Sequence, residues 1–590
     1  MTLLLQHILF LLKLIVCSQL FSLLQARAES SNKSRDIPLQ AFTLLEQYCG
    51  KCHGKGGSFS DEMSINYQRL IQDQFILPGA ADESELFLVI KSGEMPPKKQ
   101  NNFLSEEEVE IIRLWINSGA GDWNAHIPEK RDFISDEDII RSIHEDIKKQ
   151  KTQDRLFIRY FTLTHLYNAG EKESALDNYR LALAKLANSL SWKADIILPD
   201  PIDPSKTIMR IDLRHYGWEE IDNVWGKISN HYPYKINFFD KEFQSLCELI
   251  NSQTPFIRAD WFIANASIPP LYHEVLGLPD TDLEIEKRLG INVEQNLSIY
   301  PGKKVWRSGF LLSGVSNFNR IIERHKFKLG AYWKSYDFDA NTGRKDIFNY
   351  PVDFEHAGGE IIFNLPNGLQ AYLLTDEKGK RINEGPINIV FNKNGRDPVI
   401  VNGLSCMACH TRGMRKPSGS VAQLSDAINR MYFNDKKQKD YASTLYASEN
   451  KMNELIDFDI ERFEEAVSKL GGTTGGKEPI ELLADYYHKS LNIDMVSAEV
   501  GLKPKDFTSE LSKHAISNYT GLSLLFAEEN DSKMIARDSW ESLFGVVIAA
   551  LGKGSIKESS DRYDELKKDI SKQARNKWIF EALKKIEKVK

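Results

Sequence analysis

The feature that most constrains this chain is a five-residue pattern that occurs twice, at residues 49–53 (CGKCH) and at residues 406–410 (CMACH). In each copy two cysteines stand three positions apart and a histidine follows the second, which is the spacing for covalent haem attachment. Each thiol adds to one vinyl group of the porphyrin, and the histidine binds the iron as its proximal ligand. The sequence therefore predicts two covalently bound haem c groups. The predicted attachment residues are Cys49, Cys52, Cys406 and Cys409, and the predicted proximal ligands are His53 and His410.

Two other uses of paired cysteines compete with this interpretation. The four cysteines of the two motifs could close one zinc site with four thiolate ligands, or each pair could act as a redox dithiol. A zinc site does not require a histidine after each pair. A dithiol motif usually opens a helix in a βαβ unit, which the flanking sequence does not show. We therefore favour haem at both motifs.

Residues 38–125 carry three predicted helices around the first motif. Apolar residues at helical spacing in residues 41–48 run straight into the motif. A short second helix is predicted over residues 82–91. The third helix begins at a capping box in which Ser105 is the N-cap residue and Glu108 is its partner at position N3. Apolar residues at positions 111, 112 and 114–116 give this last helix a face to bury.

The first motif and these flanks resemble the class I cytochrome c domains of exported bacterial proteins. The resemblance implies an all-α haem domain that carries electrons. It also implies that Met95, in the segment 92–97 (SGEMPP), is the sixth iron ligand. The two prolines fix φ and prevent a helix, so Met95 is predicted on a stiff extended loop. Ligation by histidine and methionine raises the reduction potential relative to two histidines.

The N-terminal 28 residues have the pattern of a secretory signal peptide. An apolar run over residues 8–24 is followed by the small-residue cleavage site at residues 26–28 (ARA). This predicts export to the periplasm of a Gram-negative bacterium, removal of residues 1–28 and a mature chain without a membrane span. Residues 29–37 are predicted to be a linker.

Cys247 is left outside the motifs, and its leucine neighbours indicate a buried thiol.

Length and charge restrict the class of protein and the kind of partner. The chain of 590 residues is too long for one core, so roughly three domains are expected. Hydrophobic residues make up 42% and charged residues 27%, which is typical of soluble globular proteins. A net charge of −7 argues against nucleic acid as a partner. Redox partner proteins, a donor and an acceptor, are expected instead.

The region between the two motifs is predicted to change from helices to strands. Residues 126–190 are predicted to be helical, with one helix opening at Asp136, another over residues 157–167 and a third over residues 175–190. Residues 191–400 are predicted to be mixed α/β with an antiparallel sheet.

Strand patterns are clear at two places in this mixed region. Alternating residues predict a strand over residues 207–213. Residues 360–365 and 369–375 are predicted to form a hairpin around Asn367-Gly368, since Asn-Gly favours tight hairpin turns. The sheet is expected to lead the chain into the second motif. Three tryptophans are predicted core residues: Trp218, Trp225 and Trp261.

The second haem segment, residues 401–420, has no methionine-proline loop after it, so its sixth ligand is open. His325 is the favoured candidate. It shares strand parity with the apolar residues up to Trp333, which places it on the apolar face of a strand. His356 and His273 are alternatives, and water or a substrate would fill the position if no side chain does.

If water or a substrate fills the sixth position of the second haem, the protein would be an enzyme. If the sixth position of the second haem is open, His325 would be the acid/base and the adjacent Arg324 the charge stabiliser for cleaving the O–O bond of a peroxide. Met414 is rejected as the distal ligand because it stands only four residues after His410.

Residues 421–590 are predicted to form a helical C-terminal region. The segment 471–477 (GGTTGGK) resembles a phosphate loop, but no strand precedes it and Glu478 stands where serine or threonine should be, so it is interpreted as a linker. A buried helix is predicted at residues 543–551. The other predicted helices are residues 421–433, 451–470, 479–490 and a last one from about Asp561.

The sequence thus predicts an α+β multidomain protein: an N-terminal all-α cytochrome c domain, a central mixed region with the second haem motif and a helical C-terminal region. One-electron transfer is the expected function. Two alternatives remain, a peroxidase-like dihaem oxidoreductase and a redox-sensing scaffold protein.

Overall fold

The computed structural model describes most of the chain between residues 37 and 555. The described residues are 37–38, 40–54, 59, 65, 67–97, 103–121, 131–219, 223–310, 315–392, 398–416, 428, 435–514, 520–523, 525 and 534–555. The predicted signal peptide, the helix predicted from Asp561 and, apart from Ile428, the helix predicted at 421–433 lie outside these residues. The chain divides into two compact units, Met1–Arg131 and Asp132–Lys590.

The described part of the first unit is helical. A 3₁₀ turn, Ala81–Glu83, precedes the third helix, and the helix predicted over residues 82–91 is therefore interrupted at Ser84. The helices are α1 (residues 40–53), α2 (Tyr67–Gln72), α3 (Glu85–Lys91) and α4 (Glu106–Asn117).

Helices α1 and α4 share one hydrophobic core. Leu45 of α1 and Ile112 and Trp115 of α4 are buried in the same cluster. The predicted capping box is confirmed, because the Ser105 hydroxyl accepts from the Glu108 N–H while the Glu108 carboxylate accepts from the Ser105 N–H. This fixes the start of α4 by satisfying two backbone donors that a helix end leaves unpaired.

The second unit is α+β and contains two larger sheets. A four-stranded sheet has the strand order β2-β3-β1-β5, in which β1 pairs antiparallel with β3 and parallel with β5. The helices of this half are α5 (Asp136–Lys149), α6 (Thr164–Asn168), α7 (Glu173–Ser189), α8 (Val224–His231), α9 (Lys241–Ile250), α10 (Ala259–Ala266), α11 (Leu271–Leu276), α12 (Asp282–Leu289) and α13 (Val293–Ile299). The strands are β1 (Ile158–Thr162), β2 (Asp200–Pro201), β3 (Ile208–Asp212), β4 (Asn237–Phe238) and β5 (Phe256–Arg258).

A six-stranded antiparallel meander follows. Its order, β11-β10-β9-β8-β7-β6, is the reverse of the chain order, so each strand pairs with its neighbour in sequence. The strands are β6 (Val305–Phe310), β7 (Arg320–Phe327), β8 (Gly330–Asp337), β9 (Gly358–Asn364), β10 (Gln370–Asp376) and β11 (Arg381–Ile382). The hairpin predicted around Asn367-Gly368 is confirmed as β9 and β10.

The rest of the unit carries the second motif and the C-terminal helices. A two-stranded ribbon of β12 (Glu384–Gly385) and β13 (Ile400–Val401) leads directly into α14 (Leu404–Cys409). The later helices are α15 (Lys436–Leu445), α16 (Glu449–Lys469), α17 (Pro479–Tyr487), α18 (Ile493–Glu499), α19 (Pro504–Leu511), α20 (Thr520–Ser523) and α21 (Arg537–Ala550), and β14 (Gly554–Ser555) pairs with β4. In the described part of the chain, no helix combines the length and apolar character that crossing a membrane requires.

Most local predictions for the second unit are confirmed. The strand at residues 208–212 is present, the helices after Ser135 and Lys172 are present, and the segment 471–477 connects α16 to α17. Trp218, Trp225, Trp261 and Cys247 are all buried.

Two predictions are wrong. Residues 157–167 do not form one helix: Ile158–Thr162 is strand β1, and only Thr164–Asn168 is helical. β1 is flanked on both sides by strands from distant sequence, and these pairings override its helical periodicity.

The second error concerns the strand assigned to residues 325–333. The chain turns between Phe327 and Gly330, so His325 lies on β7 and Trp333 on β8. Side-chain parity cannot be counted through a turn, and the argument that placed His325 on a purely apolar face fails.

Candidate functional site

The approach to the second motif is held by close backbone packing. Gly403 has φ +87, and a Cβ there would lie 2.5 Å from the Ser267 carbonyl oxygen and 2.9 Å from the Tyr272 ring. Only glycine fits this position. The preceding Asn402 is buried and donates to His273 Nε2 at 2.8 Å. The chain therefore enters α14 in one fixed orientation.

The second motif faces a cavity of about 400 Å³ between α14 and the six-stranded sheet. Its volume lies in the range of ligand-binding pockets, roughly 300–1,000 Å³. The motif residues that line it are Cys406, Cys409 and His410. The sheet contributes apolar and charged side chains, among them Ile322, Trp333, Ile362, Leu374, Arg320 and Glu360.

His410 is oriented for ligation through Nε2. Its Nδ1 donates to the Gly413 carbonyl oxygen at 2.9 Å, which leaves the lone pair on Nε2. A hydrogen-bond acceptor on the ring nitrogen that does not bind the metal is what orients metal-binding histidines. Burial lowers the pKa of His410, and a neutral imidazole is the form that binds a metal. The Tyr372 ring packs 6.0 Å from the imidazole, centroid to centroid.

Glu360 on β9 lies among the motif side chains. Its Oε2 is 3.9 Å from His410 Nε2 and 3.6 Å from Arg320 Nη2. Burial, followed by the charge of Glu360 and a hydrogen bond to it, raises the pKa of the Cys406 thiol well above its usual range. Burial likewise raises the pKa of Cys409. Both thiols are therefore protonated at neutral pH, and neither is a reactive thiolate.

The residues around the cavity fit a haem. The cavity offers two thiols, one oriented imidazole and an apolar floor from the sheet. It also presents cationic side chains, Arg320, Arg415 and Lys416, which could pair with the two propionates. No group of three His, Cys, Asp or Glu side chains arranged for a metal ion occurs among the described residues. A haem needs only one imidazole from the motif because the porphyrin supplies four nitrogens.

The structure does not bring His325 to this cavity. Its Nε2 donates to Glu323 at 2.7 Å and its Nδ1 accepts from Asn296 at 3.1 Å, so both ring nitrogens are engaged. Its neighbour Arg324 forms two 2.8 Å hydrogen bonds with Asp459. The arrangement is that of a satisfied core histidine beside a buried ion pair, and neither residue is among those lining the cavity.

The alternative histidines are also placed elsewhere. His273 packs behind the motif against Asn402, and burial lowers its pKa to about 4. His356 is half-buried with its ring 5.1 Å from Tyr336. Among the described residues that line the cavity, His410 is the one histidine.

The first motif forms the end of α1. Cys49 is buried, and burial together with the neighbouring Cys52 raises its pKa to about 11. His53 closes the helix with its ring 6.0 Å from Phe59. A Cβ on Gly54 would lie 2.3 Å from the Gly50 carbonyl oxygen, so the turn after the histidine requires glycine.

Met95 lies in the bend after α3, as predicted for a loop residue. Its N–H donates to the Val89 carbonyl oxygen at 3.0 Å, and 37% of the residue is exposed. Met95 is not part of the buried cluster of its unit, so its side chain is not core filler. The residues between 55 and 64 on the other side of the motif are mostly outside the described part of the chain.

Comparison with protein-family models, with curated proteins and with solved structures found no match. The resemblance to class I cytochrome c therefore rests on the motifs and their surroundings. The structure adds two residues that the sequence did not single out, Glu360 and Arg320. The available signal was weak: Arg320 is the first residue of β7 and Glu360 the third residue of β9, and charged residues are common at strand ends.

Proposed function

We propose that this protein is an exported dihaem c-type cytochrome that carries out one-electron transfer. The observation that supports it most is His410, whose Nδ1 hydrogen bond leaves Nε2 available in a cavity of about 400 Å³ that both cysteines of the motif also line. Residues 1–28, which carry the proposed export signal, precede the described part of the chain.

The residues of the second site would each have a separate task. Cys406 and Cys409 would form the thioether links, and His410 would be the proximal ligand. Arg320, Arg415 and Lys416 would pair with propionates, and the apolar sheet face would exclude water. Haem supplies a one-electron iron couple when bound. The hydrogen bond from Nδ1 to the Gly413 carbonyl oxygen would hold the His410 ring in one orientation.

The residues of the first site would hold the other haem. Cys49 and Cys52 would attach it, His53 would be proximal, and Met95 would be the sixth ligand. The thioether of Met95 would stabilise the reduced state, so we propose the higher potential for this site. Redox proteins of unknown identity would be the donor and the acceptor.

Peroxide cleavage by Arg324 and His325 is not part of this proposal. The buried Asp459 and Glu323 carboxylates already bind these two side chains. An enzymatic second haem would need a different set of residues.

The proposal is tested by counting haems in full-length protein produced with a working maturation system. Pyridine haemochrome spectra and intact mass should give two haems per chain. Replacing Cys49 and Cys52 with alanine should leave one, and so should replacing Cys406 and Cys409. The matched control is Cys247→Ala, which removes a buried thiol outside the motifs and should leave two. Colourless wild-type protein, or protein that carries zinc, would refute the proposal.

A further inference from the structure

The carboxylate of Glu360 is held in place inside the second cavity. Its side chain is 16% exposed, and Arg320 Nη2 lies 3.6 Å from Oε2. Arg320 is itself fixed, since its Nε lies 2.9 Å from Asp337 Oδ1 and its Nη2 donates to Ser335 Oγ at 2.9 Å. Three neighbouring strands therefore supply one anchored group of charges, and its Glu360 carboxylate lies on the motif side, where Cys406 and His410 are its neighbours.

The distance between Glu360 and His410 has a specific meaning for metal binding. Nitrogen and oxygen ligands stand about 2 Å from a transition metal such as zinc. Two ligands on opposite sides of one ion are thus about 4 Å apart. The separation of 3.9 Å between His410 Nε2 and Glu360 Oε2 matches this value.

Other side chains in the described cavity wall are less suited to the sixth position. Lys334 is bound to Asp282 at 2.7 Å and to Glu286 at 3.2 Å. Met414 also lines the cavity, but it stands only four residues after His410.

We propose that Glu360 would be the second side chain, together with His410, to hold a haem at the second motif, and that a small exogenous ligand would compete with it. This inference rests on the proposed function, because it requires a haem at the second motif. A carboxylate is a hard, weak ligand that prefers the ferric ion, so Glu360 would hold a reduced haem less well. After reduction the second site would therefore take a small neutral ligand such as carbon monoxide, whereas the first site, with Met95 as its further ligand, would not.

The assignment gives the two haems different properties. A carboxylate beside the iron stabilises the ferric form by charge, whereas a methionine thioether stabilises the ferrous form. The second haem should therefore have the lower potential. It should also contribute a high-spin signal in the oxidised protein.

The test compares spectra and carbon monoxide binding of full-length wild type with three variants. In wild type we expect one low-spin and one high-spin ferric haem by electron paramagnetic resonance, and one carbon monoxide per chain after reduction. Glu360→His should convert the second haem to low spin and suppress carbon monoxide binding at least tenfold. Glu360→Gln should still bind carbon monoxide after reduction, but the reduction potential of the second haem should rise. The control His325→Gln should leave the spin states of both haems unchanged.

The number of haems per chain distinguishes a failure of the proposed function from a failure of the assignment of Glu360. Fewer than two haems in wild type would overturn both the proposed function and this inference. Two haems that are both low-spin and unreactive towards carbon monoxide would overturn the inference alone. A spectrum that changes in His325→Gln but not in Glu360→His would assign the position to His325 instead.

Discussion

At the second motif, the role of each histidine follows from the partners of its two ring nitrogens. His410 gives one nitrogen to a backbone carbonyl and keeps the other beside the cavity. His325 uses both nitrogens for side-chain partners and has none for a metal. Both residues are well buried, so burial alone would not have distinguished them.

Met95 provides the first prediction at this scale. Met95→His should replace a thioether ligand with an imidazole and lower the potential of the first haem by a few tenths of a volt, within the span of about 0.8 V that axial ligands set. Spectroelectrochemistry of the full-length protein measures it. The control Met534→His changes a methionine of similar exposure, 41% against 37%, in the other unit. Equal potentials in both variants would exclude Met95 as a ligand.

Gly403 provides the second prediction for a single residue. Gly403→Ala should destabilise the second unit by at least about 2 kcal/mol. The added Cβ would collide with the backbone of Ser267 and with the buried Tyr272 ring, and the positive φ is unfavourable for alanine. Gly290→Ala is the matched control: Gly290 has φ +68, but nothing lies within 4 Å of its Cβ. That variant should lose only about 1 kcal/mol. Denaturant unfolding measures both, and equal losses would show that the close contacts do not matter.

At the scale of elements, buried ion pairs join the meander to helices far away in sequence. Arg324 on β7 pairs with Asp459 on α16, and Asp459 also accepts from the indole of Trp333 on β8. Trp333 lines the cavity, so this pair links the shape of the site to α16.

Removing one partner of this pair should be costly. Arg324→Leu should destabilise the protein by about 3–5 kcal/mol, because the buried Asp459 carboxylate is left uncompensated. The control Arg344→Leu breaks an exposed pair with Glu355 and should cost less than about 1 kcal/mol. Thermal unfolding measures both variants. If the two losses are alike, the Arg324 pair does not stabilise the fold as described.

A buried pair between α6 and α10 gives a prediction on pH. Burial alone would raise the pKa of Asp260, but attraction and a hydrogen bond to His165, 2.9 Å away, lower it to about 2. A carboxyl whose folded pKa is lowered adds stability above its unfolded pKa, and this is lost as the pH falls through the folded value.

The Asp260→Asn variant should therefore be less stable than wild type at pH 7. The difference in the free energy of unfolding should be roughly 2 kcal/mol, which corresponds to the lowered pKa of Asp260. The difference should shrink between pH about 4 and about 2. Calorimetry across this range measures it. Asp280→Asn, at a carboxylate 79% exposed beside Arg381, is the control and should follow the wild-type curve. A constant difference down to pH 2 would contradict the assigned pKa.

For the whole molecule, each unit has a hydrophobic core of its own. We therefore expect two thermal transitions by calorimetry. Ile112→Ala and Ile456→Ala, at two fully buried positions in the two cores, should each cost about 2–5 kcal/mol and lower one transition only. A single transition lowered by both variants would mean that the units unfold together.

The sequence by itself determined the features that depend on near neighbours. The capping box of α4 needs only Ser105 and Glu108, and the hairpin of β9 and β10 needs only the turn at Asn367-Gly368. These were predicted because local backbone chemistry decides them. The three buried tryptophans were predicted from size and apolarity alone.

Only the tertiary structure decided what surrounds the second motif. His325 meets Asn296, 29 positions away, and Arg324 meets Asp459, 135 positions away. Glu360 reaches His410 because β9 forms the wall opposite α14. Which polar side chains share a buried space depends on strand pairing and packing between distant segments, and no local periodicity records that. The motif predicts where a haem would attach, whereas the fold decides which side chains, Glu360 among them, lie beside His410.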